Sequence, residues 1–149
     1  MKIANWKILV AIGVALGIGA SAYAQVFKYF HPGTVWTVTT IRVKSGMDPA
    51  YMQYLDGPFK KESDAQVKAG FMKSYKILNA FDEDASSWNL LILREYASLA
   101  SFEANEEKSD ELARKVLGED DMAAMKGYED RSKVREVLST RTARELILK

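Results

Sequence analysis

The stretch Trp88-Asn-Leu-Leu-Ile-Leu-Arg-Glu-Tyr96 is the strongest strand signal in the chain. Its unbroken apolar run, Leu90 to Leu93, is typical of a central strand that is covered on both faces. Another strand is predicted at Val35 to Val43, because threonine, valine, isoleucine and tryptophan side chains fit a pleated surface. Apolar side chains occur in both alternation phases of the two strands, so we expect both faces of their sheet to be packed against other protein rather than exposed to solvent.

On either side of these two strands the sequence shows further helix and strand patterns. Apolar residues at helical spacing predict a helix from Pro49 to Ala69, with Asp48 as its N-cap and Gly70 as its stop. Because proline lacks an N–H group, Gly57-Pro58 predicts a kink or break within it. The other elements are a strand at Phe71–Ala80, a helical region from its cap Ser98 to Gly118, a helix at about Glu119–Asp130, and a last segment, Lys133–Leu148, favoured as strand.

The order of these elements is strand, helix, strand, strand, helix, strand. It predicts an α+β fold of the ferredoxin-like, split βαβ type, with an antiparallel sheet and helices on one face only. The other face would then expose one phase of the strands, either that of Trp36, Val38, Trp88, Leu90 and Ile92 or the opposite one. A second copy of the chain, packed sheet to sheet, would cover this apolar face, so we expect a homodimer.

Two quoted stretches carry a resemblance to a known superfamily. A strand ending Arg42-Val-Lys-Ser-Gly46 precedes a helix that contains Tyr51 and Phe59, and Glu95-Tyr96 is followed by Ser98 and Phe102. This layout, from about Val35 to Leu117, resembles the dimeric α+β barrel superfamily, which includes antibiotic-biosynthesis monooxygenase-like and NIPSNAP-like domains. The resemblance implies a cavity between helices and sheet. It implies no particular reaction, because fold alone does not fix function.

The first 25 residues have the three parts of a secretory signal. Lys2 and Lys7 lie in a basic start, Ile8 to Ala20 is apolar, and Ala22-Tyr23-Ala24 places small residues where a signal peptidase needs them. We expect cleavage after Ala24, an N-terminal arm at residues 25–34 closed by a Pro32-Gly33 turn, one domain at residues 35–149, and a periplasmic or secreted protein that leaves the membrane. The open alternative is an uncleaved anchor, although a spanning helix needs about 20 apolar residues.

Composition excludes several classes of function. Loss of Lys2 and Lys7 would change the formal net charge from +1 to −1, whereas a nucleic-acid-binding protein has a basic excess. The chain has no cysteine, which removes thiolate chemistry, and one histidine, His31, in a His-Pro-Gly sequence that favours a surface turn over a metal ligand. No phosphate-binding loop or metal-binding helix motif occurs in the mature chain, so we expect no cofactor and no metal.

Five side chains of the two main strands form the candidate ligand site. They are Trp36, Arg42, Trp88, Arg94 and Tyr96, which share one alternation phase within their respective strands. Two arginines could hold a carboxylate bidentately and the indole rings could stack on a planar ligand. The alternative is packing, with each arginine paired to Glu95, Glu136 or Glu145.

Two weaker candidates come from tyrosine and acidic side chains. Tyr51, Tyr54, Tyr75 and Tyr128 could donate into a pocket, although tyrosines at this spacing also pack half-buried. The acidic run Asp82 to Ser86 lacks the glycine and the distal glutamate of a calcium loop, which favours a solvated hairpin.

Two functions of different classes remain open from the sequence. One is a binding or structural module for a small apolar or aromatic ligand. The other is a cofactor-independent monooxygenase or isomerase acting on a small aromatic substrate. An enzyme would need a pocket that holds a buried polar group of shifted pKa, and a binding module would not.

Overall fold

The computed structural model describes residues 28–81 and 86–149. The signal peptide predicted for residues 1–24 and most of the acidic run, residues 82–85, lie outside the described residues. Within the described ranges, no helix combines the length and the apolar character needed to cross a membrane. The described residues divide into two compact units, a small one of residues 28–33 and 145–149 and a large one of residues 34–144.

Four strands form one sheet. They are β1 (Phe30–Val43), β2 (Ser74–Asn79), β3 (Leu90–Tyr96) and β4 (Arg135–Leu148). Their order across the sheet is β2-β3-β1-β4, and β3 runs antiparallel to both β1 and β2. This is the split βαβ topology, so the predicted α+β, ferredoxin-like fold class is confirmed. The apolar strands β1 and β3 occupy the centre, as their sequences predict.

The side chain of Asn89 extends the pairing of β1 and β3 beyond the end of β3. Its Oδ1 accepts a hydrogen bond from the backbone N–H of Val43 at 2.8 Å, and its Nδ2 donates to the backbone oxygen of Val43 at 3.2 Å. Its backbone N–H donates to the oxygen of Ile41 at 3.0 Å. Asn89 therefore satisfies the last backbone groups of β1, which would otherwise need water.

The strand boundaries differ from prediction at several ends. β1 begins at Phe30, so the predicted turn at Pro32-Gly33 is wrong. The reason is a tertiary one: in the small unit the N–H of Lys149 donates to the oxygen of Tyr29 at 3.1 Å, which favours extended backbone over a local turn. β2 is shorter than predicted, and β3 begins at Leu90 rather than Trp88.

The first helical region consists of three consecutive segments. They are α1 (Asp48–Tyr54), a π-helical turn (Leu55–Phe59) and α2 (Lys60–Lys68). The π-helical turn contains Pro58, which confirms the predicted interruption, because proline cannot donate the usual helical hydrogen bond. The predicted cap is wrong: Met47 is the N-cap residue and Asp48 lies in the first turn. Gly70, with φ of +75°, follows α2 in the left-handed conformation.

The second helical region is α3 (Leu99–Ala104), α4 (Glu106–Leu117) and α5 (Asp121–Val134). The predicted Ser98 cap is confirmed, since its hydroxyl accepts from the N–H of Ser101 at 3.0 Å. Asp120 caps α5 in the same way, accepting from Ala123 at 2.8 Å. α5 continues four residues past its predicted end and leads directly into β4.

The hydrophobic core lies between the sheet and the first helical region. Tyr51, Leu55 and Phe59 recur every four residues, so they share one face of the helical region and are all buried. They pack against alternate side chains of the central strands, namely Ile41, Val43, Leu90 and Ile92. The Phe59 ring meets the Tyr75 ring edge-on, with centroids 5.6 Å apart. This side is called the helix face of the sheet.

The opposite phase of the same strands is only half-buried in the single chain. Cross-strand pairing places Leu93 between Val38 and Lys76, and Leu91 between Thr40 and Leu78. Trp36 lies on the same side, and the Nζ of Lys76 is 5.7 Å from the centroid of its ring. This side, defined by Trp36, Val38, Thr40, Leu78, Leu91 and Leu93, is called the open face.

Candidate functional site

The structure divides the five predicted site residues between the two faces of the sheet. Arg94 pairs with Thr37, and Tyr96 with Val35, so both lie on the helix face. Trp36 pairs with Glu95 and belongs to the open face, and Arg42 shares the phase of Trp36. Trp88 precedes β3. One site that contains all five side chains is therefore not formed within a single chain.

Arg42 is engaged by a carboxylate on the neighbouring strand. Its Nη2 lies 2.8 Å from Oε2 of Glu136, as the packing alternative predicts. Both side chains are partly exposed, so the ion pair contributes about 0–1 kcal/mol. Arg42 and Arg94 do not form a common clamp, because they are on opposite faces of the sheet.

A cavity of about 170 Å³ lies beside Arg94 and Tyr96 on the helix face. We call it the Arg94–Tyr96 cavity. Strand β3 supplies its floor, α2 one wall and α3 with α4 the other. The residues that line it are Glu62, Gln66, Phe71, Arg94, Tyr96, Phe102, Glu106, Ser109 and Asp110. Two of the five predicted site residues, Arg94 and Tyr96, therefore line one cavity.

The Arg94 side chain is held between a ring and a carboxylate. Its guanidinium carbon lies 5.2 Å from the Phe59 ring centroid, and its Nη2 lies 3.8 Å from Oε1 of Glu62. Gln66, itself buried, donates from Nε2 to the same Glu62 oxygen at 3.1 Å. Within the described residues the buried Nε of Arg94 has no hydrogen-bond partner.

Tyr96 forms an aromatic wall with a polar end. Its ring packs edge-on against Phe102, with centroids 4.8 Å apart and planes 63° apart. Burial raises the pKa of the Tyr96 hydroxyl, an effect that the nearby charge of Arg94 partly offsets. The hydroxyl is therefore protonated at neutral pH and can act as a hydrogen-bond donor or acceptor.

The charge around this cavity is predominantly negative. Glu62, Glu106 and Asp110 line it, against the single cation Arg94. Glu106 and Asp110 are four residues apart on α4, so they lie on the same helix face. Neither makes an ion pair within the described part of the chain. The expected role of Arg94 in holding a carboxylate ligand is opposed by this excess of acidic groups.

A second group of aromatic and cationic side chains lies further along the helix face. The rings of Tyr51 and Tyr54 stack at 5.7 Å. The guanidinium carbon of Arg131 is 4.9 Å from the Tyr54 centroid, and that of Arg135 is 5.7 Å from the Tyr51 centroid. These distances are within the range of cation–π interactions. Burial raises the pKa of Tyr51 to about 12, although the nearby arginines act in the opposite direction.

The arginines of this second group were missed in the sequence. Arg131 is in the last turn of α5 and Arg135 is the first residue of β4, so an element boundary separates them. The tyrosines had been identified as possible pocket donors, but their cationic neighbours are about 80 residues away in sequence. Only the tertiary structure brings the two pairs together.

The remaining predicted candidates, His31, Tyr75 and Tyr128, lie outside the lining of the Arg94–Tyr96 cavity. His31 is exposed within β1, and the described residues contain no group of three potential metal ligands. Tyr75 donates its hydroxyl hydrogen to Oδ1 of Asp64 at 2.8 Å. Tyr128 is 61% exposed, and its ring contacts the guanidinium of Arg131 at 5.9 Å.

Comparison with known proteins finds likeness in structure only. No protein-family model matches the chain, and no curated protein matches it. A dimeric ferredoxin-like protein from an uncultured marine organism is similar over 80% of this chain and 90% of its own, with 11% identity and a TM-score of 0.50. Another from an uncultured marine organism covers 78% and 96%, at 14% identity and a TM-score of 0.49.

A NIPSNAP family protein of unknown function from Agrobacterium tumefaciens is also similar. It covers 80% of this chain and 92% of its own, at 11% identity and a TM-score of 0.43. At such identities these likenesses show the fold alone. The dimeric ferredoxin-like protein with a TM-score of 0.50 has the fold that the sequence predicts, so the predicted resemblance is confirmed at the level of fold.

Proposed function

We propose that this protein is a binding module that takes a small ligand, about the size of one aromatic ring, into the Arg94–Tyr96 cavity. The observation that carries the proposal is the cavity volume of about 170 Å³. An engineered apolar cavity of about 150 Å³ in another protein holds benzene, so this volume suits a single ring. The edge-on pair of Tyr96 and Phe102 supplies an aromatic wall for it.

The charges of the polar lining residues favour a neutral or positively charged aromatic ligand over an anionic one. Glu62, Glu106 and Asp110 outnumber Arg94, so a carboxylate ligand would be repelled. A ligand hydroxyl could accept from the Arg94 guanidinium and exchange a hydrogen bond with the Tyr96 hydroxyl. Aromatic walls with a few polar groups are the usual composition of small-molecule sites.

Binding is proposed first because the cavity combines an aromatic wall with hydrogen-bonding groups. Burial raises the pKa of the Tyr96 hydroxyl, so this group offers a hydrogen bond to a ligand and does not act as a base at neutral pH. The cofactor-independent monooxygenase or isomerase considered from the sequence is the alternative, with a carboxylate of Glu62, Glu106 or Asp110 as the group that accepts a proton. Consumption of benzyl alcohol or phenol by the purified protein would favour that alternative.

The test of ligand binding is a titration with benzyl alcohol followed by amide NMR shifts. We expect shifts at the residues around β3, α2 and α4 that line the cavity. Ser109→Leu adds hydrocarbon into the cavity and should abolish them. Ala104→Leu is the matched control, because it adds the same volume at an exposed position on α3. Equal binding by the wild type and Ser109→Leu would contradict the proposal.

We further propose that the chain is a homodimer joined through the open face. Trp36, Val38, Leu91 and Leu93 form a continuous apolar patch by cross-strand pairing, and monomeric proteins rarely expose such patches. The similar marine protein is described as dimeric, which supports a dimer without specifying its interface. Sedimentation velocity at micromolar concentration should give about twice the mass of the mature chain, and a monomer under these conditions would contradict the dimer.

The proposed location is the cell envelope or the extracellular medium. Support comes from the sequence, which places two lysines, an apolar segment and Ala22-Tyr23-Ala24 in the order of a secretory signal. Intact mass measurement of protein isolated from its own cells should give a chain that begins at Gln25. A mass that retains residues 1–24 would favour the anchor instead.

A further inference from the structure

The cleft between the end of α5 and the start of β4 is separate from the Arg94–Tyr96 cavity. Its volume is about 380 Å³, and the two share no lining residue. It is lined by Lys44, Tyr128, Ser132, Arg135, Glu136 and Val137. We call it the Arg135 cleft. The Arg135 cleft is the larger of the two. Its lining has an excess of positive charge, whereas that of the Arg94–Tyr96 cavity has an excess of negative charge.

Cationic groups dominate the Arg135 cleft because its acidic group is already engaged. Glu136 accepts from Arg42 at 2.8 Å, which neutralises its charge locally. Lys44 donates from Nζ to the backbone oxygen of Ser132 at 2.9 Å, so its ammonium group is positioned at the cleft. Ser132 directs its own hydroxyl hydrogen to the oxygen of Glu129 at 2.6 Å. Lys44 and Arg135 are left as the charged groups facing a ligand.

The guanidinium groups beneath the cleft have unmet hydrogen-bonding capacity. The Nε atoms of Arg131 and Arg135 are buried and have no hydrogen-bond partner in the described ranges. A buried charged donor without a partner is unfavourable. The neighbouring tyrosines do not supply the missing negative charge, because Tyr51, with a pKa of about 12, is protonated. An anion bound in the cleft would supply a partner for the charge of Arg135.

We propose that the Arg135 cleft binds a small organic carboxylate. The planar fork of Arg135 matches the two carboxylate oxygens, and Lys44 adds a second charge-assisted contact. Tyr128 and Val137 supply apolar surface for the body of the ligand. Inorganic phosphate has no apolar body to pack on Tyr128 and Val137, which favours an organic carboxylate over phosphate.

The test is a titration of the full chain with benzoate, followed by calorimetry and amide NMR. Benzoate should shift the amide signals of residues 132–137 and bind more weakly as salt is added. Arg135→Gln should raise the Kd for benzoate about tenfold or more, the loss expected for a charge-assisted hydrogen bond. Lys44→Gln should raise the Kd by a smaller factor. Arg141→Gln removes an exposed cation elsewhere on β4 and should leave the Kd unchanged.

Inorganic phosphate and benzylamine serve as comparison probes. Phosphate binding as tightly as benzoate would overturn the organic part of the proposal, and benzylamine binding there would overturn the charge preference. An unchanged Kd in Arg135→Gln would also overturn it. If Arg135→Gln fails to fold because Tyr51 loses its neighbour, Lys44→Gln decides, since this side chain is exposed. An unchanged Kd in that variant contradicts the proposal.

Discussion

Leu90 and Leu93 are three residues apart in the same strand, and their surroundings are opposite. Leu90 is on the helix face with none of its surface exposed, packed among Ile41 and the first helical region. Leu93 is on the open face, half-buried between Val38 and Lys76. Both leucines read alike in the sequence, as part of one apolar run. Leu90 therefore contributes to the stability of the single chain, whereas Leu93 lies where a second copy is proposed to pack.

The comparison also explains why the five predicted site residues do not meet. Side chains alternate across a strand, so a shared phase within each strand does not give a shared face of the sheet. The register pairs Trp36 with Glu95, and Thr37 with Arg94. The even-numbered side chains of β1 therefore lie on the opposite face of the sheet from the even-numbered side chains of β3. The helix face therefore holds the proposed ligand sites, and the open face holds the proposed contact with a second copy.

The largest effect is expected from truncation on the helix face. Leu90→Ala should lower the free energy of unfolding by about 2–5 kcal/mol, because it leaves a cavity in a fully buried site. At a concentration low enough to keep the chain monomeric, Leu78→Ala on the open face should cost within about 0.5 kcal/mol, because 48% of that side chain is exposed in the single chain. Urea denaturation of both variants measures the difference. Equal losses would show that the two faces are not energetically distinct.

The next effect concerns assembly. Leu93→Lys should raise the dimer dissociation constant about a hundredfold, because it buries an unpaired charge at the centre of the open face. Sedimentation velocity over a concentration series would measure it, with far-UV circular dichroism to check folding. Met122→Lys is the control, since it adds the same charge at an exposed position on α5. A dimer that tolerates Leu93→Lys would place the interface elsewhere.

Most of the fold could be predicted from local patterns. The apolar run of β3, the threonine-rich β1, the Ser98 cap and the interruption at Pro58 each depend on neighbours in sequence, and each was recognised. The failures depend on distant partners. The Pro32-Gly33 turn signal is overridden where the N–H of Lys149 donates to Tyr29. The start of α1 at Met47 is a matter of cap geometry that residue preference does not fix.

The candidate site was predicted only in part. Arg94 and Tyr96 line a cavity, as the alternation of β3 and the superfamily resemblance imply. The acidic lining of that cavity comes from α2 and α4, and no local pattern connects Glu62 with Glu106 and Asp110. The contacts of Arg131 and Arg135 with the tyrosines of α1 depend on the same kind of long-range packing.

A smaller effect, and one of opposite sign, is expected at a buried hydroxyl on the helix face. Ser63 is 1% exposed, and within the described residues its Oγ has no hydrogen-bond partner. Ser63→Ala should therefore raise the free energy of unfolding by about 1 kcal/mol, since it removes an unsatisfied polar atom and alanine favours helix. Ser45→Ala, at an exposed position, is the control for urea denaturation. A destabilised Ser63→Ala would mean that this hydroxyl has a partner, such as bound water.

The smallest effect on stability is expected on the open face, where the charged side chain of Glu95 lies beside the proposed interface. Ser74 donates its hydroxyl hydrogen to Oε2 of Glu95 at 2.5 Å, and Lys73 lies 3.1 Å from Oε1. The hydrogen bond from Ser74, aided by Lys73 and opposed by burial, lowers the pKa of Glu95 below its ordinary value. The carboxylate of Glu95 thus binds a proton less readily in the folded state than in the unfolded state.

The sign of the pH dependence follows from that lowered pKa. The stabilisation from Glu95 is complete above the ordinary glutamate pKa, and it is lost as the pH falls through the lower pKa of the folded state. Ser74→Ala should raise the pKa of Glu95 and leave stability at neutral pH reduced by about 1 kcal/mol or less. Carboxyl NMR titration would measure the pKa, with Ser87→Ala as the control. Should the pKa of Glu95 stay unchanged in Ser74→Ala, Lys73 rather than Ser74 would be the cause of the shift.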